Sequence, residues 1–145
     1  MILVTRESLN PEAVTATVRR EANGGVVTFL GTTRNDSDGR RVLYLEYEAY
    51  EGMAEKMLGR IAEEISQRWG ITDVSIAHRF GRLELGEISL VVAVASPHRQ
   101  EAFQACLYTV DRIKQNVPIW KKEVFEDGEV WVGIEGQAHP APVSD

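Results

Sequence analysis

The sequence has one cysteine, no long hydrophobic run and few positive charges, and each shortage excludes a class of protein. Cys106 is the only cysteine among 145 residues, so a disulfide framework and a cysteine-based metal site are excluded within one chain. A reducing cytoplasm is the expected location. No apolar run approaches the ~18 residues of a membrane span. The N-terminus has no basic region before its apolar residues, so we expect no signal peptide.

Positive charge is outnumbered along the chain. Sixteen Lys and Arg face 22 Asp and Glu, which gives a formal net charge of −6 and argues weakly against broad nucleic-acid binding. The 43% hydrophobic and 26% charged fractions are typical of a globular protein and exclude disordered and collagen-like classes. The length predicts one domain, over residues 1–136. The polar, proline-containing residues 137–145 are expected to form a flexible tail.

The hydrophobic pattern predicts an α+β domain with three helices. Strands are expected over residues 1–5, 25–32, 42–49, 74–80, 88–95, 119–125 and 129–133, with a polar loop over 35–41. The first helix begins after Asn10 and ends near Asn23. The apolar stripes of the other two helices are predicted to be Met53, Met57, Ile61 and Ile65, and Phe103, Leu107, Val110 and Ile113. Helices do not alternate one-for-one with strands, which argues against a doubly wound parallel sheet.

Three short segments combine positive charge with a helix or strand breaker. They are Gly31-Thr32-Thr33-Arg34, Ser96-Pro97-His98-Arg99, and residues 114–122 with the sequence KQNVPIWKK. The first two begin at predicted strand ends, and the third runs from a helix end into a strand. Rigid elements often hold ligands at such positions, so these segments are the candidate binding site.

The helix start at Ser96-Pro97-His98-Arg99 gives the clearest physical argument for an anion. A helix N-terminus offers unpaired N–H groups and a partial positive charge. Cations placed there act against the helix dipole at a cost of ~0.3–1 kcal/mol, and a bound anion would offset that cost. The residues alone leave two interpretations open, which are an anion site and a pair of solvated side chains.

Three lysines surround Pro118 in the third segment. Lys114 ends a helix, where the negative end of the dipole accepts a cation without any ligand. Lys121 and Lys122 are adjacent, so on a strand they face opposite sides, and at most one of them can share a pocket with Lys114. We expect Trp120 to point away from Lys121, into the core or an interface.

The remaining polar and sulfur-containing side chains have structural interpretations. His78 falls on the apolar face of its strand, where a hydrogen-bonded core histidine is expected. Cys106 and Met53 are expected to be buried. No metal-ligand spacing connects the three histidines, and no nucleotide-binding glycine motif is present.

Five motifs, in order and at fitting separations, point to a family. Over residues 25–133 the sequence resembles the large, catalytic subunit of molybdopterin synthase. The motifs are GVVTFLGTTR (25–34), LEYEAYEGMA (45–54), HRFGRLELGE (78–87), SPHRQEAF (96–103) and KQNVPIWKKE (114–123). Each is weak alone, and together they are specific. Thr33 stands where an aliphatic residue is more usual in this family, although Arg34 is in place.

The resemblance implies a fold, partners and a reaction. The fold would be of the α/β-hammerhead type, with a mixed or antiparallel sheet. The chain would form a homodimer with a small ubiquitin-like sulfur carrier at each end, giving a heterotetramer. The carrier's C-terminal thiocarboxylate would supply sulfur to cyclic pyranopterin monophosphate, and two insertions would give the dithiolene of molybdopterin in molybdenum cofactor biosynthesis. No metal or other cofactor, nucleic acid or membrane is implied.

The resemblance also carries over site residues by motif position. Arg34, His98 and Arg99 would bind the phosphate and the pterin. Lys114 and Lys121 would be catalytic, Lys114 toward the carrier terminus and sulfur transfer and Lys121 in acid–base chemistry or charge stabilisation, because crowded cations lower a lysine pKa. The complete set of implied binding residues is Thr32, Thr33, Arg34, His98, Arg99, Lys114, Lys121, Lys122 and Glu123.

Two alternative functions would use the same cations. A phosphoesterase acting on cyclic phosphates would work without a protein partner. A non-enzymatic sensor of an anionic ligand would bind without turnover. Dependence on the carrier separates the synthase from the first alternative, and product formation separates it from the second.

Overall fold

The computed structural model describes residues 1–133, which form nine strands and three helices. The helices are α1 (Pro11–Ala16), α2 (Glu51–Trp69) and α3 (Arg99–Asn116). The strands are β1 (Ile2–Thr5), β2 (Gly25–Thr32), β3 (Asp36–Ser37), β4 (Arg40–Ala49), β5 (Val74–Arg79), β6 (Gly81–Glu84), β7 (Ile88–Ser96), β8 (Ile119–Phe125) and β9 (Gly128–Val132). The predicted tail and His139 lie outside the described residues, so the domain boundary at residue 136 stays a prediction.

The first sheet has the strand order β1-β5-β7-β2. β7 pairs antiparallel with both β2 and β5, and it is buried on both faces, as its continuous apolar sequence predicts. β1 joins β5 in parallel. β2 is the outer strand at the edge opposite β1, and it pairs with β7 so that Gly25 lies opposite Ser96 and Thr32 opposite Ile88. The two ends of β2 therefore lie beside opposite ends of β7.

The second sheet has the order β3-β4-β8-β9, and β6 also pairs with β4. The long β4–β8 ladder sets Tyr47 opposite Lys121 and Leu45 opposite Glu123. β8 and β9 form the hairpin that Asp127-Gly128 predicts. Because paired residues of a ladder point to the same face of the sheet, Tyr47 of β4 and Lys121 of β8 face the same way.

The helices cover both faces of the first sheet. α2 and α3 pack together on one face, over the main core, and α1 covers the other face. Gly70 ends α2 in the left-handed conformation at φ +66°, and α3 ends just before Val117-Pro118, as predicted. The predicted α+β class is confirmed. In the part of the chain that is described, no helix is long and apolar enough to cross a membrane.

Helix α1 is shorter than the sequence predicts. Asn10 caps it as expected, since its side-chain oxygen accepts hydrogen bonds from the backbone N–H groups of Glu12 and Ala13 at 3.1 and 3.2 Å. The helix ends at Ala16 rather than near Asn23. Tighter turns continue beyond it and keep Val18 buried beside Val14, so the predicted apolar face persists without the predicted helix.

Two short strands and a bulge depart from the predicted pattern. β3 pairs with the start of β4 around Asp38-Gly39, where φ is +50° and +78°, so residues 35–41 are not only a loop. β6 adds a second partner to β4. The register shifts just after Val42, which leaves Val42 buried and Leu43 exposed. Leu43 therefore does not share a face with the buried Leu45, although strict alternation along the strand would place the two together.

The predicted core stripes of α2 and α3 are partly wrong. Met53 is 54% exposed, and Ala54 and Leu58 take its place in the core. Phe103 and Leu107 are 61% and 64% exposed. The core face of α3 consists largely of small residues, which let the helix lie close to the sheet; it is made of Ala102, Ala105, Cys106, Thr109, Val110 and Ile113. The burial expected of Cys106 is confirmed.

Truncation of α2 at two positions tests this corrected core. Leu58 is fully buried, so Leu58→Ala should lower the free energy of unfolding by about 2–5 kcal/mol. Met53→Ala, on the same helix, should change it by less than about 0.5 kcal/mol because that side chain is exposed. Urea unfolding followed by circular dichroism measures both values. Equal losses would place Met53 in the core, as the periodicity alone predicts.

Candidate active site

A pocket of about 770 Å³ lies where the two sheets meet the C-terminal end of α3. Both sheets contribute to its walls, and its lining mixes apolar, neutral polar and cationic side chains. The lining residues are Phe29, Leu30, Gly31, Thr32, Arg34, Tyr47, His78, Ser89, Leu90, Ile113, Lys114, Val117, Ile119, Lys121, Val132 and Gly133.

Three cationic side chains line this pocket from three separate elements. Arg34 follows the end of β2, Lys114 lies in the last turn of α3, and Lys121 lies on β8. The fold thus brings together residues from two of the three basic segments found in the sequence. Since the side chains of lysine and arginine are hydrogen-bond donors only, this part of the wall is built to hold an anion.

Burial lowers the pKa of the Lys121 ammonium below its ordinary value, and the positive charges of Arg34 and Lys114 lower it further. The nearby carboxylate of Glu123 acts in the opposite direction. Glu123 is itself buried, and it lies two residues beyond Lys121 on the same face of β8. A lysine whose pKa is lowered exchanges its proton more readily near neutral pH, so Lys121 is suited to acid–base chemistry.

Lys122 lies outside this pocket, on the other face of β8. Its Nζ is 3.0 Å from Glu46 Oε2 and 3.5 Å from Glu129 Oε2, and it sits over the Trp131 ring. These acidic partners raise the pKa of Lys122. The prediction that Lys121 and Lys122 face opposite sides is confirmed, and Trp120 is buried as expected.

Thr32 lines the pocket, whereas Thr33 does not. Thr33 is buried, and its backbone N–H and hydroxyl donate to the Glu87 carbonyl at 3.1 and 3.2 Å. Its own carbonyl accepts a hydrogen bond from the Gly86 N–H at 2.9 Å. Thr33 therefore anchors the segment that carries Arg34 to the turn before β7, instead of lining the pocket as the resemblance implies.

His78 borders the pocket as an uncharged ring. It lies edge-on to Tyr47 at 5.3 Å and stacks on Phe80 at 4.9 Å. Its Nδ1 is 2.9 Å from the Arg79 carbonyl oxygen, and because a carbonyl only accepts, Nδ1 carries the proton. Burial lowers the pKa of His78 to about 4, so the ring is neutral near pH 7. The prediction of a hydrogen-bonded core histidine is confirmed.

His98 and Arg99 lie at the other end of β2, away from the three cations. They line a separate cavity of about 660 Å³ at the start of α3. A side-chain carbon placed on Gly25 would be 2.9 Å from the Arg99 Cα, whereas Arg34 follows Thr32. The seven steps of strand from Gly25 to Thr32 span about 23 Å.

This separation limits how Arg34, His98 and Arg99 could bind one phosphate. A single small phosphate cannot contact Arg34 and Arg99 of the same chain, so Arg34, His98 and Arg99 do not form one subsite within one chain. Both His98 and Arg99 are exposed at the start of α3, which is compatible with both interpretations of the sequence. Whether they bind an anion stays a prediction.

Sequence reasoning missed several neutral residues of the pocket. Tyr47 and Ser89 both line it, and neither stands in a segment with concentrated positive charge. The feature that would identify Tyr47 as a pocket residue is its pairing with Lys121 across the β4–β8 ladder. That register depends on the bulge after Val42, which the alternation of apolar residues does not reveal.

The sequence and the fold are both similar to those of known proteins. The MoaE protein family model matches residues 4–116. The chain is 46% identical to the molybdopterin synthase catalytic subunit of Bacillus subtilis over 139 residues, covering 94% of this chain and 88% of that one. It is 47% identical to the subunit of the same name from Pyrococcus abyssi over 133 residues, covering 92% and 88%. The crystal structure of molybdopterin synthase from Staphylococcus aureus matches with a TM-score of 0.86 at 44% identity, covering 90% of this chain and 96% of that chain.

Replacing His78 by Gln should make the fold less sensitive to acid. The pKa of His78 is about 4 in the folded protein, whereas unfolded histidine titrates near 6.5. The unfolded state therefore binds more protons between these values, and the wild-type protein should lose up to about 3 kcal/mol of stability as pH falls from 6.5 to 4.

His78→Gln cannot titrate there, so its free energy of unfolding should fall less over the same window. Above pH 6.5 the difference between the two proteins should be constant. Urea unfolding at a series of pH values measures both curves. Parallel curves down to pH 4 would show that the imidazole is not held neutral.

Proposed function

The chain belongs to the MoaE protein family, and from this we propose that it is the catalytic subunit of a molybdopterin synthase. The proposed substrate is cyclic pyranopterin monophosphate, and the proposed reaction inserts two sulfur atoms to form the dithiolene of molybdopterin. The sulfur donor is the C-terminal thiocarboxylate of a small ubiquitin-like carrier protein. The proposal includes no metal or other cofactor, because the carrier supplies the sulfur.

The observation that carries the proposal is the convergence of Arg34, Lys114 and Lys121 on one pocket. A cyclic phosphate and a thiocarboxylate are both anions. Arginine offers a planar fork of donors that suits a phosphate, and lysine offers a compact positive charge. Opening the cyclic phosphate develops negative charge, which cations already in place stabilise. A volume of about 770 Å³ is ordinary for a small-molecule site.

Sulfur transfer also requires proton movement, and the two pocket lysines are suited to different parts of it. Lys121 is partly buried and its pKa is lowered, so it is assigned to acid–base chemistry or to stabilising developing charge. Lys114 is exposed at the end of α3, where an entering protein tail can reach it. Lys114 is therefore assigned to the carrier terminus and to sulfur transfer.

A homodimer would explain why His98 and Arg99 lie far from Arg34, Lys114 and Lys121 within one chain. β2 is an edge strand, and among the strands of residues 1–133 none pairs with its outer edge. Val26 and Leu30 are exposed on β2, and Phe103 and Leu107 are exposed on α3, which packs against β2. An open strand edge flanked by apolar side chains is a suitable interface for a second copy.

Two-fold pairing of β2 would also complete the site. Edge strands related by a two-fold axis run antiparallel, so the end of one β2 lies beside the start of the other. Arg34 follows the end of β2, and Arg99 lies beside its start. The dimer would therefore bring His98 and Arg99 of the partner subunit towards Arg34, which one chain alone does not do.

Reconstitution with a thiocarboxylated carrier and cyclic pyranopterin monophosphate tests the proposed function. Lys114→Ala and Lys121→Ala should each reduce product formation by on the order of 100-fold and should keep fold and carrier binding. Lys114→Arg should not restore activity, because arginine keeps its proton. Lys122→Ala is the matched control and should stay near wild type, since Lys122 pairs with Glu46 outside the pocket.

Each other outcome of this assay has a defined meaning. Near-normal turnover by Lys114→Arg would remove proton transfer from the role of Lys114. Conversion of the cyclic phosphate without the carrier would favour a phosphoesterase. Binding of the cyclic phosphate without any product would favour a sensor.

Coexpression of two inactive variants tests whether the site is shared between subunits. A dimer of one Arg99→Ala chain and one Lys114→Ala chain keeps one complete site if His98 and Arg99 act across the interface. The mixture should then recover roughly a quarter of wild-type activity, because half of the dimers are mixed and one site in each is intact. Activity no greater than the mean of the two separate variants would place Arg99 and Lys114 in the same chain's site.

A further inference from the structure

His78 is a pocket residue that the proposed reaction has not used. It lies on β5 in the first sheet, where its ladder partner is Leu90 of β7, and Leu90 is in turn opposite Gly31 of β2. Directly paired residues point to the same face of a sheet, and all three line the pocket. This row therefore forms part of the pocket wall, and it runs across the sheet from His78 to the strand that precedes Arg34.

The His78 ring is held in one orientation by three contacts. Its Nδ1 donates to the Arg79 carbonyl oxygen at 2.9 Å, its face stacks on Phe80 at 4.9 Å, and the Tyr47 ring meets it at an angle of 71°. Only 4% of the residue is exposed. A ring fixed in this way loses little further conformational freedom when a ligand binds to it.

The second ring nitrogen, Nε2, carries an electron pair that a ligand can use. Because Nδ1 holds the proton of the neutral ring, Nε2 can only accept a hydrogen bond. Within residues 1–133 the ring makes its hydrogen bond through Nδ1, and Nε2 is not sealed off by protein atoms. Since the ring lines the pocket, Nε2 is an acceptor that a bound molecule can reach.

A side chain that can only accept is scarce in this pocket. The three cations only donate, and in the described part of the chain no Asp or Glu belongs to the lining. The hydroxyls of Thr32, Tyr47 and Ser89 accept but also donate, so they do not distinguish one kind of ligand group from the other. His78 is therefore suited to select a ligand that presents a donor.

We propose that His78 is a specificity-determining residue whose Nε2 accepts a hydrogen bond from a ring or amino N–H group of the substrate's pterin. This inference rests on the proposed function, from which the pterin is taken. A reduced pterin carries several N–H donors, and cations that only donate cannot recognise them. With the phosphate at the cations and the pterin at His78, one ligand uses both parts of the lining.

The spacing of these two parts suits a single ligand. Two strand spacings separate His78 from Gly31 across the row, which is about 10 Å, and Arg34 follows Gly31 by three residues. A fused tricyclic ring system with a phosphate can span such a distance. Tyr47, whose ring contacts His78, is the ladder partner of Lys121. The pterin at His78 would therefore lie beside the lysine assigned to acid–base chemistry.

Two amide substitutions separate the roles of the two ring nitrogens. In His78→Asn the amide can replace Nδ1 and keep the bond to the Arg79 carbonyl, but it does not reach the position of Nε2. In His78→Gln the longer side chain can place its amide oxygen near the position of Nε2, and the bond made by Nδ1 is lost. The Asn variant thus removes the proposed acceptor, and the Gln variant keeps it.

His78→Asn should weaken binding of cyclic pyranopterin monophosphate on the order of tenfold, as expected when one hydrogen bond is lost. His78→Gln should bind within about threefold of wild type. Isothermal titration calorimetry on the full chain, without the carrier, measures both affinities. Unchanged binding by His78→Asn would overturn the proposal. A loss in His78→Gln as large as that in His78→Asn would also overturn it, because the ring would then act through Arg79.

Inorganic phosphate is the matched control ligand. It can bind the cations but has no ring or amino N–H group, so its affinity should be the same in wild type, His78→Asn and His78→Gln. A parallel loss of phosphate and precursor binding in His78→Asn would show that the whole pocket is altered, and would remove the specific role given to Nε2.

A measurement on the wild-type chain does not depend on either variant folding. Nitrogen NMR distinguishes protonated from unprotonated imidazole nitrogens, and it should show Nε2 of His78 unprotonated in the free protein. The Nε2 resonance should move upfield when the precursor binds, because the nitrogen then accepts a hydrogen bond, and should not move with inorganic phosphate. A resonance that stays in place at saturating precursor would overturn the proposal.

The two proposals fail in different ways. If wild type makes molybdopterin while His78→Asn binds the precursor as tightly as wild type does, the proposed function stands and the role of His78 is overturned. If His78→Asn binds more weakly than His78→Gln while wild type makes no product with the carrier, the acceptor role stands and the proposed function is rejected. A wild-type chain that binds no precursor would overturn both.

Discussion

Electrostatic repulsion among Arg34, Lys114 and Lys121 is the constraint on which the site depends. Long cationic side chains separate when they are free to do so, and here they are held near one another because each is attached to a different rigid element. The buried Glu123 carboxylate offsets part of this charge. The remaining positive charge gives the pocket a preference for anions, and an anion that binds only the folded state adds its binding energy to the stability of the fold.

The alternation of side chains along β8 decides which charges take part. Lys121 and Glu123 share one face, directed toward the pocket and the core, while Lys122 lies on the other face with Glu46 and Glu129. The pairing of β8 with β4 then places Tyr47 beside Lys121. A one-residue change of register would exchange Lys121 for Lys122 and remove the acid–base candidate from the pocket. The geometry of a strand ladder is thus directly responsible for the chemistry proposed.

Local patterns predict the elements well and their tertiary roles less well. The bounds of β2, the burial of β7 and the opposite orientation of Lys121 and Lys122 follow from composition and alternation. Helical periodicity, however, shows which residues share a face without showing which face meets the sheet. It therefore led to the wrong prediction that Phe103 is buried. Motif positions likewise assigned Arg34 and Arg99 to one site without showing that they lie at opposite ends of β2. Tyr47 was missed because strand register is a tertiary property.

The central claim is that an anionic substrate binds between the sheets, among cations from separate elements and from two copies of the chain. A crystal structure of the protein with cyclic pyranopterin monophosphate tests it most directly. The account predicts the phosphate within hydrogen-bond distance of Arg34 and of at least one of Lys114 and Lys121, with Arg99 of the partner subunit at the same ligand. A phosphate bound at the start of α3, about 23 Å away along β2 and contacted by His98 and Arg99 of one chain alone, would contradict the account.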